Sequence, residues 1–139
     1  MYKRIMFLTF IFALTLSLSA AEYYGGETIT VREIDTLKTD LFSGCRILDV
    51  NGIVEGDVFA GCEQISIEGE VTDDVITGCR VLTVTGIVGD NVIGFAQSII
   101  IDGEVKGDVL AFGGSVRITE RAKIQGNVYV GTGDFRFEG

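Results

Sequence analysis

Three cysteines are the side chains of this sequence with the widest range of chemistry. Cys45, Cys62 and Cys79 follow one another at intervals of 17 residues. Equivalent residues of stacked strands lie about 4.8 Å apart, within the Cα range of a disulfide, although parallel Cβ vectors would strain that bond. A metal site would need Cys-x-x-Cys pairs or histidines, and the sequence has neither. We expect no metal site, and two interpretations stay open: a disulfide, or a ladder of inert buried thiols.

Side-chain oxygens recur at the same interval, at Asp40, Asp57, Asp74, Asn91, Asp108 and Asn127. Calcium needs six to eight oxygen ligands, and the calcium-binding signature GGxGxD is absent. Asp and Asn side chains also hydrogen-bond the backbone of turns. We interpret this column as turn residues rather than as a cation site.

Catalysis finds little support in the sequence. Because there is no histidine, Ser–His and Cys–His nucleophile pairs cannot form. Carboxylates that lie outside a pocket do not make an active site, and the sequence offers no long loop that could build one. We expect no catalytic residue and no cofactor, and hence a protein that is not an enzyme.

The spacing of these residues belongs to a 17-residue period that governs residues 40–139. Copies occupy residues 40–56, 57–73, 74–90 and 91–107; a fifth copy, 108–126, is two residues longer, and a sixth begins at Asn127. A fixed period of this kind means that each copy is one unit, which buries its apolar face only by stacking on its neighbours.

Each copy has the pattern of short β-strands separated by turns. Apolar residues alternate over three to five positions, and Gly and Asp or Asn stand between these runs. The second position of the copies holds Val58, Val75 and Val92, which are β-branched as strands prefer. About three short strands in 17 residues indicate an all-β fold, a single-stranded parallel β-helix of about six coils.

Columns of glycines and a column of charged residues are also expected to shape the coils and to set their register. Glycines recur in one column at Gly44, Gly61 and Gly78 and in another at Gly52, Gly69, Gly86 and Gly103. We expect both columns to be corners where glycine permits a positive φ. Arg46, Glu63 and Arg80 share a third column, so that opposite charges lie on adjacent coils. This alternation either favours the correct register or is a relic of a duplicated two-coil unit.

The third position of each copy is the candidate association stripe. It holds Phe42, Phe59, Ile76, Ile93, Leu110 and Tyr129. Neighbouring residues of a flat strand point to opposite faces, so either this column or the apolar second-position column should face outward. We expect the third position to form an exposed apolar stripe, of the kind that marks association surfaces. The alternative is a bulged corner at which both columns are buried.

The last copy offers a second association surface, because an uncovered coil presents unpaired backbone groups. Tyr129, Phe135 and Phe137 are its candidate end-stacking residues.

Residues 1–21 have the layout of a signal peptide. Lys3 and Arg4 precede an apolar run, and small residues at Ser19 and Ala21 place cleavage after Ala21. The alternative is an uncleaved anchor, which would be the protein's only membrane contact. We expect export to the periplasm, the cell surface or the medium. Residues 22–39 do not fit the period and should form an N-terminal strand or cap, which leaves residues 40–139 as the β-helix domain.

The chain is acidic, with a formal net charge of −9. That charge argues against nucleic acid and anionic lipid as partners.

The repeats resemble those of the bactofilin-like, polymer-forming cytoskeletal proteins. The segments DVFAGCEQISIEGEV and DVLAFGGSVRITERAKIQGNV are similar to that family's recurring G-D-V-x-A-G-x-x-V-x-I-x-G-x-V. The opening GETITVREIDTLKTDLFSGCRILDVNG is similar to the start of exported members. The resemblance implies a right-handed β-helix, no catalytic residues, no nucleotide and end-to-end self-assembly. Two features depart from the family: the export signal, and cysteine at positions 45, 62 and 79 where glycine or alanine is usual.

These observations predict a structural protein of the cell envelope that associates with itself or with another envelope protein. The alternative is an adhesin or carbohydrate-binding rod that uses an acidic face.

Overall fold

The computed structural model describes residues 21–138, and their side chains from Gly26 onward. The described chain is all-β. Its strands are β1 (Ala21–Val31), β2 (Thr36–Leu37), β3 (Asp40–Val50), β4 (Ile53–Val54), β5 (Val58–Ile67), β6 (Glu70–Val71), β7 (Val75–Val84), β8 (Ile87–Val88), β9 (Val92–Ile101), β10 (Glu104–Val105), β11 (Val109–Ile118), β12 (Lys123–Ile124) and β13 (Val128–Phe137). The predicted signal peptide lies outside the described residues, apart from Ala21.

The strands form two parallel sheets that run the length of a β-solenoid. The seven long strands pair in the order β1-β3-β5-β7-β9-β11-β13, and the six two-residue strands pair in the order β2-β4-β6-β8-β10-β12. Val58 pairs with Val75, and Val75 pairs with Val92. Residues 17 apart therefore lie one above another, as the period predicts.

We number the coils 1 to 7 in chain order: 21–39, 40–56, 57–73, 74–90, 91–107, 108–126 and 127–138. Six coils were predicted, and the seventh is the segment before residue 40. There β1 pairs with β3 from Ala21–Asp40 to Val31–Val50, and β2 pairs with β4. The 17-residue pattern misses coil 1 because this coil is two residues longer.

Coils 1 and 6, which are each two residues longer than the 17-residue coils, have their extra residues at the same corner. In coil 1 the N–H of Asp35 donates to the carbonyl of Arg32 at 2.9 Å, and in coil 6 the N–H of Ala122 donates to the carbonyl of Thr119 at 3.1 Å. Both turns lie between the long and the short strand, and coils 2 to 5 between them lack the insertion. The extra residues therefore loop outward without disturbing the register of either sheet.

Coils 1 to 6 each contain one long strand and one short strand, rather than the three short strands predicted, and the described part of coil 7 contains the long strand β13. In β5, Val58, Ala60 and Cys62 face the core, and so do Ile65 and Ile67. Residues 63 and 64 between them are both exposed, so the alternation shifts by one residue there. Every coil makes this shift at the equivalent residue, so hydrogen bonding continues across it and two predicted strands become one.

The core is a set of columns of aliphatic side chains along the solenoid axis. Those with at most 1% exposure include Leu41, Val58, Val75, Val92 and Val109 in one column; Leu48, Ile65, Leu82, Ile99 and Val116 in a second; Val50, Ile67, Val84, Ile101 and Ile118 in a third; and Val54, Val71, Val88 and Val105 in a fourth. The long strands contribute three of these columns and the short strands contribute one, so coils 2 to 5 close around the same core.

The aspartate and asparagine column links consecutive coils through side-chain-to-backbone hydrogen bonds. The Oδ1 atom of Asp40 accepts the N–H of Asp57 at 2.8 Å, and Asp57 accepts the N–H of Asp74 at 2.8 Å. Asn91 performs the same role for the N–H of Asp108 at 2.8 Å. These side chains bond backbone N–H groups, as predicted, but each one binds the next coil rather than its own turn.

The predicted reason for both glycine columns is wrong. Among residues 21–138 a positive φ occurs only at Gly26 and Gly56. Glycine is needed in the column of Gly69 because the coils approach closely there: an added Cβ would lie 2.7 Å from the carbonyl carbon and oxygen of Asn51. Gly61 is different, because it lies in mid-strand on the outside, where an added Cβ would meet nothing within 4 Å.

Candidate functional site

The third-position column lies on the outside of the long-strand sheet. Its members are in register on consecutive coils: Phe42, Phe59, Ile76, Ile93, Leu110 and Tyr129. Phe42 is 38% exposed and Tyr129 is 53% exposed, and the others are half-buried. The second-position column is buried throughout coils 2 to 6. The alternative in which both columns are buried at a bulged corner is therefore wrong.

Stacking of equivalent residues brings aromatic rings into contact in this column. The rings of Phe42 and Phe59 have centroids 4.8 Å apart and planes within 10°. That separation is the spacing between neighbouring strands. The two rings therefore cover the side of the sheet as one continuous apolar surface.

A second outward column, which sequence reasoning missed, lies two residues further along each long strand. Phe95 is 55% exposed and Phe112 is 38% exposed, and their rings stack with centroids 5.4 Å apart. The same column holds Gly44, Gly61, Gly78 and Gly131 in other coils. Because those glycines were interpreted as corners, the column was not predicted to face outward, and the two phenylalanines were not assigned to a surface. The spacing of two residues from Phe42 to Gly44 was the signal that both columns face outward.

We call these two columns together the apolar face. None of their members in coils 2 to 7 carries a charge. The column beyond them is charged: Arg46 pairs with Glu27 at 2.8 Å, and Arg80 pairs with Glu63 at 3.2 Å. These exposed pairs lie on adjacent coils, as predicted, and extend the column into coil 1. The apolar face is therefore an uncharged strip on a molecule with a formal net charge of −9.

The candidate end-stacking residues do not share one surface. Phe135 and Phe137 pair in register with Val116 and Ile118, so they continue two core columns, and they are 47% and 58% exposed. Tyr129 lies on the apolar face instead. Within residues 21–138 no strand pairs with the outer edge of β13.

The three cysteines lie in one column on the inner side of the long strands, and all three are free thiols. The Sγ atoms of Cys45 and Cys62 are 2.6 Å apart, and the hydroxyl of Ser43 lies 3.2 Å from Cys45. Burial, followed by the contact with Cys62, raises the pKa of Cys45 to about 11. Burial also raises the pKa of Cys79. Thiols held protonated in this way are poor nucleophiles at neutral pH.

An open groove of about 570 Å³ follows the close-packed glycine column on the other side of the solenoid. Its carboxylates are Glu33, Glu68, Glu70, Asp102 and Glu104, and Arg121 and Lys123 lie at one end. Asp102 is engaged by the hydroxyl of Thr119 and by Arg121, the latter at 3.0 Å. These hydrogen bonds hold the pKa of Asp102 below its ordinary value. Within the part of the chain that the structure describes, no three His, Cys, Asp or Glu side chains are arranged to hold a metal ion.

Comparisons of the chain with models of protein families, with curated proteins and with solved structures found no match. Residues 21–138 contain no helix that could cross a membrane.

Proposed function

We propose that this protein is a non-enzymatic structural module of the cell envelope, and that it associates through the apolar face. The observation that carries the proposal is an uncharged strip of stacked phenyl rings on an acidic solenoid. This function agrees with the bactofilin-like resemblance of the repeats. It also agrees with the fold, because a solenoid of rigid coils presents a flat and regular contact surface.

The apolar face can supply a useful part of a binding free energy. Phe95 leaves about half of its surface in water, which is roughly 100 Å² for a phenylalanine side chain. At about 25 cal/mol per Å², covering it contributes about 2.5 kcal/mol before the costs of association. Because the strip carries no charge, covering it requires no desolvation of an ion.

Sedimentation velocity of the purified protein across a concentration series tests the proposal. We expect the mean mass to rise with concentration at micromolar levels and to fall when Phe59 and Ile76 are both changed to serine. Both side chains are half-buried and outward-facing, so circular dichroism should show that the double variant keeps its fold. A matched control is Ser66→Ala with Thr83→Ala, on another outer column, which should leave association unchanged. A wild-type protein that stays monomeric at high concentration would refute the proposal.

A second candidate function is a ligand-binding rod that uses the groove with its row of carboxylates. Glu70 and Glu104 are two coils apart, roughly 10 Å by the strand spacing, so they suit a long ligand with repeated positive charges. This function predicts that a cationic oligomer such as spermine raises the melting temperature of a monomer. Glu70→Gln with Glu104→Gln should abolish that rise, whereas Phe59→Ser with Ile76→Ser should leave it intact.

A further inference from the structure

We infer that the apolar face pairs with the same face of a second copy, with the coil order of the two copies reversed. The inference rests on the proposed function and adds to it the identity and orientation of the partner. Its basis is a difference in side-chain size along one column.

Along this column, coils 2 to 4 form a trough, coils 5 and 6 form a ridge, and coil 7 again holds a glycine, Gly131. Coils 2, 3 and 4 hold Gly44, Gly61 and Gly78, and an added Cβ at Gly61 or Gly78 would meet no atom within 4 Å. Coils 5 and 6 hold Phe95 and Phe112, whose stacked rings stand above the sheet. A chain with equal residues in this column would have a flat face, so the size difference gives the face a direction.

A two-fold axis that lies in the plane of the interface, parallel to the long strands and level with coil 4, matches the ridge to the trough. Coil 4 is the middle of the seven coils, so this position brings all coils of both copies into contact. The axis places Phe95 of one copy over the coil of Gly61 in the other, and Phe112 over the coil of Gly44. Each contact then occurs twice, as in any isologous interface.

The other two-fold arrangement, with its axis in the same plane but along the solenoid and directly over this column, does not fit. It would place each coil over its own equivalent, so that phenylalanine meets phenylalanine and glycine meets glycine. The ridges would hold the two faces apart and leave a void between the troughs, which loses the dispersion contacts that close packing provides. Reversed order is therefore the better-packed of the two.

Charge and area agree with a second copy as the partner. Two copies with a formal net charge of −9 each repel one another, and a strip without charges is where they can approach most closely. The face spans seven strands that are spaced about 4.8 Å apart, and about five residues of each strand with a rise of about 3.3 Å per residue. Its area is therefore roughly 550 Å² per copy. The total of about 1,100 Å² is at the lower end of specific interfaces, so we expect a dimer that dissociates at micromolar concentrations.

Two ridge-and-trough variants test the inference. Gly61→Phe adds apolar surface, so it would strengthen non-specific association, but it fills the trough and should weaken reversed pairing at least tenfold. Phe95→Gly removes the ridge and should weaken pairing to a similar degree; Phe95→Ala carries the same test if glycine impairs folding. The matched control is Thr83→Phe, which adds the same ring outside the apolar face and should leave the dimer unchanged.

Mixing the two variants gives the decisive result. In the mixed dimer, the ring introduced by Gly61→Phe in one copy would face the space vacated by Phe95→Gly in the other, and the symmetry-related contact would be native. The equimolar mixture should therefore form a heterodimer with close to wild-type affinity, measured by sedimentation or by fluorescence transfer between labelled copies. If wild-type protein associates but mixing restores nothing, the reversed pairing is wrong and the proposed function stands. If wild-type protein does not associate at all, the proposed function fails as well.

Discussion

Two glycine-to-alanine substitutions in coil 3 should have very different effects on stability. Gly69 lies where coil 3 passes close to coil 2, and its added Cβ would lie 2.7 Å from the carbonyl group of Asn51 and would overlap the carbonyl oxygen of Gly52. That oxygen accepts the N–H of Glu70 at 2.9 Å, and the N–H of Gly69 itself donates to Val50 at 2.9 Å. The methyl group must separate the coils and weaken both hydrogen bonds.

The expected cost follows from these contacts. Two weakened hydrogen bonds contribute about 1 kcal/mol each, and forcing a methyl group into a packed backbone adds about 1–3 kcal/mol. Alanine restricts the unfolded chain and offsets about 0.5 kcal/mol. Gly69→Ala should therefore lower the free energy of unfolding by about 3 kcal/mol. Gly61→Ala enters open space, so it should raise stability by about 0.5 kcal/mol or leave it unchanged.

Urea unfolding followed by circular dichroism measures the free energy of unfolding of both variants. The two variants carry the same glycine-to-alanine change in the same chain. The midpoint of Gly69→Ala should move well below that of the wild type, and the midpoint of Gly61→Ala should not. Equal effects at the two sites would show that coils 2 and 3 do not approach as described.

Three other predictions concern single side chains. Asp57→Ala removes the acceptor of the Asp74 N–H and should cost about 1 kcal/mol in urea unfolding, whereas Asp57→Asn should cost little because Asn91 already fills this role. The folded-state pKa of Asp102 is lowered, so the stability that this residue contributes is present above about pH 4 and is lost as the pH falls through that lower pKa. Asp102→Asn should therefore flatten the dependence of the urea midpoint on pH in this acidic range. An unchanged slope would contradict the hydrogen bond to Thr119. The pKa of Cys45 is raised from 9.0 to about 11. Cys45 should therefore react with iodoacetamide at about pH 7 roughly 100-fold more slowly in the folded protein than in urea, and peptide mass spectrometry can measure both rates. Equal rates would show that the thiol is not buried.

The stacked architecture could be predicted because it depends on repetition. Val58, Val75 and Val92 share residue type and spacing, and only a stack of coils lets such residues bury one another. The period also placed Arg46 and Glu63 in one column. Coil 1 was missed for the same reason, because its extra residues between Val31 and Thr36 break the spacing on which the prediction rested.

The apolar face could be predicted only in part. Alternation along a strand indicated that one of two columns must face outward, and the column of Phe59 does so. The second column was lost because glycine was explained by backbone conformation, whereas Gly61 has no such requirement. Whether a glycine lies at a corner or in mid-strand depends on where the coil bends, and the bend at residues 63 and 64 is set by the packing of the whole coil.

Side-chain contacts within a column could not be predicted from the sequence. Three equivalent cysteines gave no reason for Cys45 and Cys62 to be in contact at 2.6 Å while Cys79 stands beside Ala96 on the next coil. Such differences arise from rotamers, which the neighbours on adjacent coils select.

A distance measurement between spin labels tests most directly whether the coils stack. Thr30, Ile100 and Arg136 lie in one outward column, on coils 1, 5 and 7. Genetically encoded labels at Thr30 and Ile100 should be roughly 19 Å apart, and labels at Thr30 and Arg136 roughly 29 Å apart, since each coil adds about 4.8 Å. Two distances that differ by two coil spacings would support the stacked solenoid and the apolar face built on it. Equal distances, or values beyond about 40 Å, which exceeds the length of seven stacked coils, would contradict both.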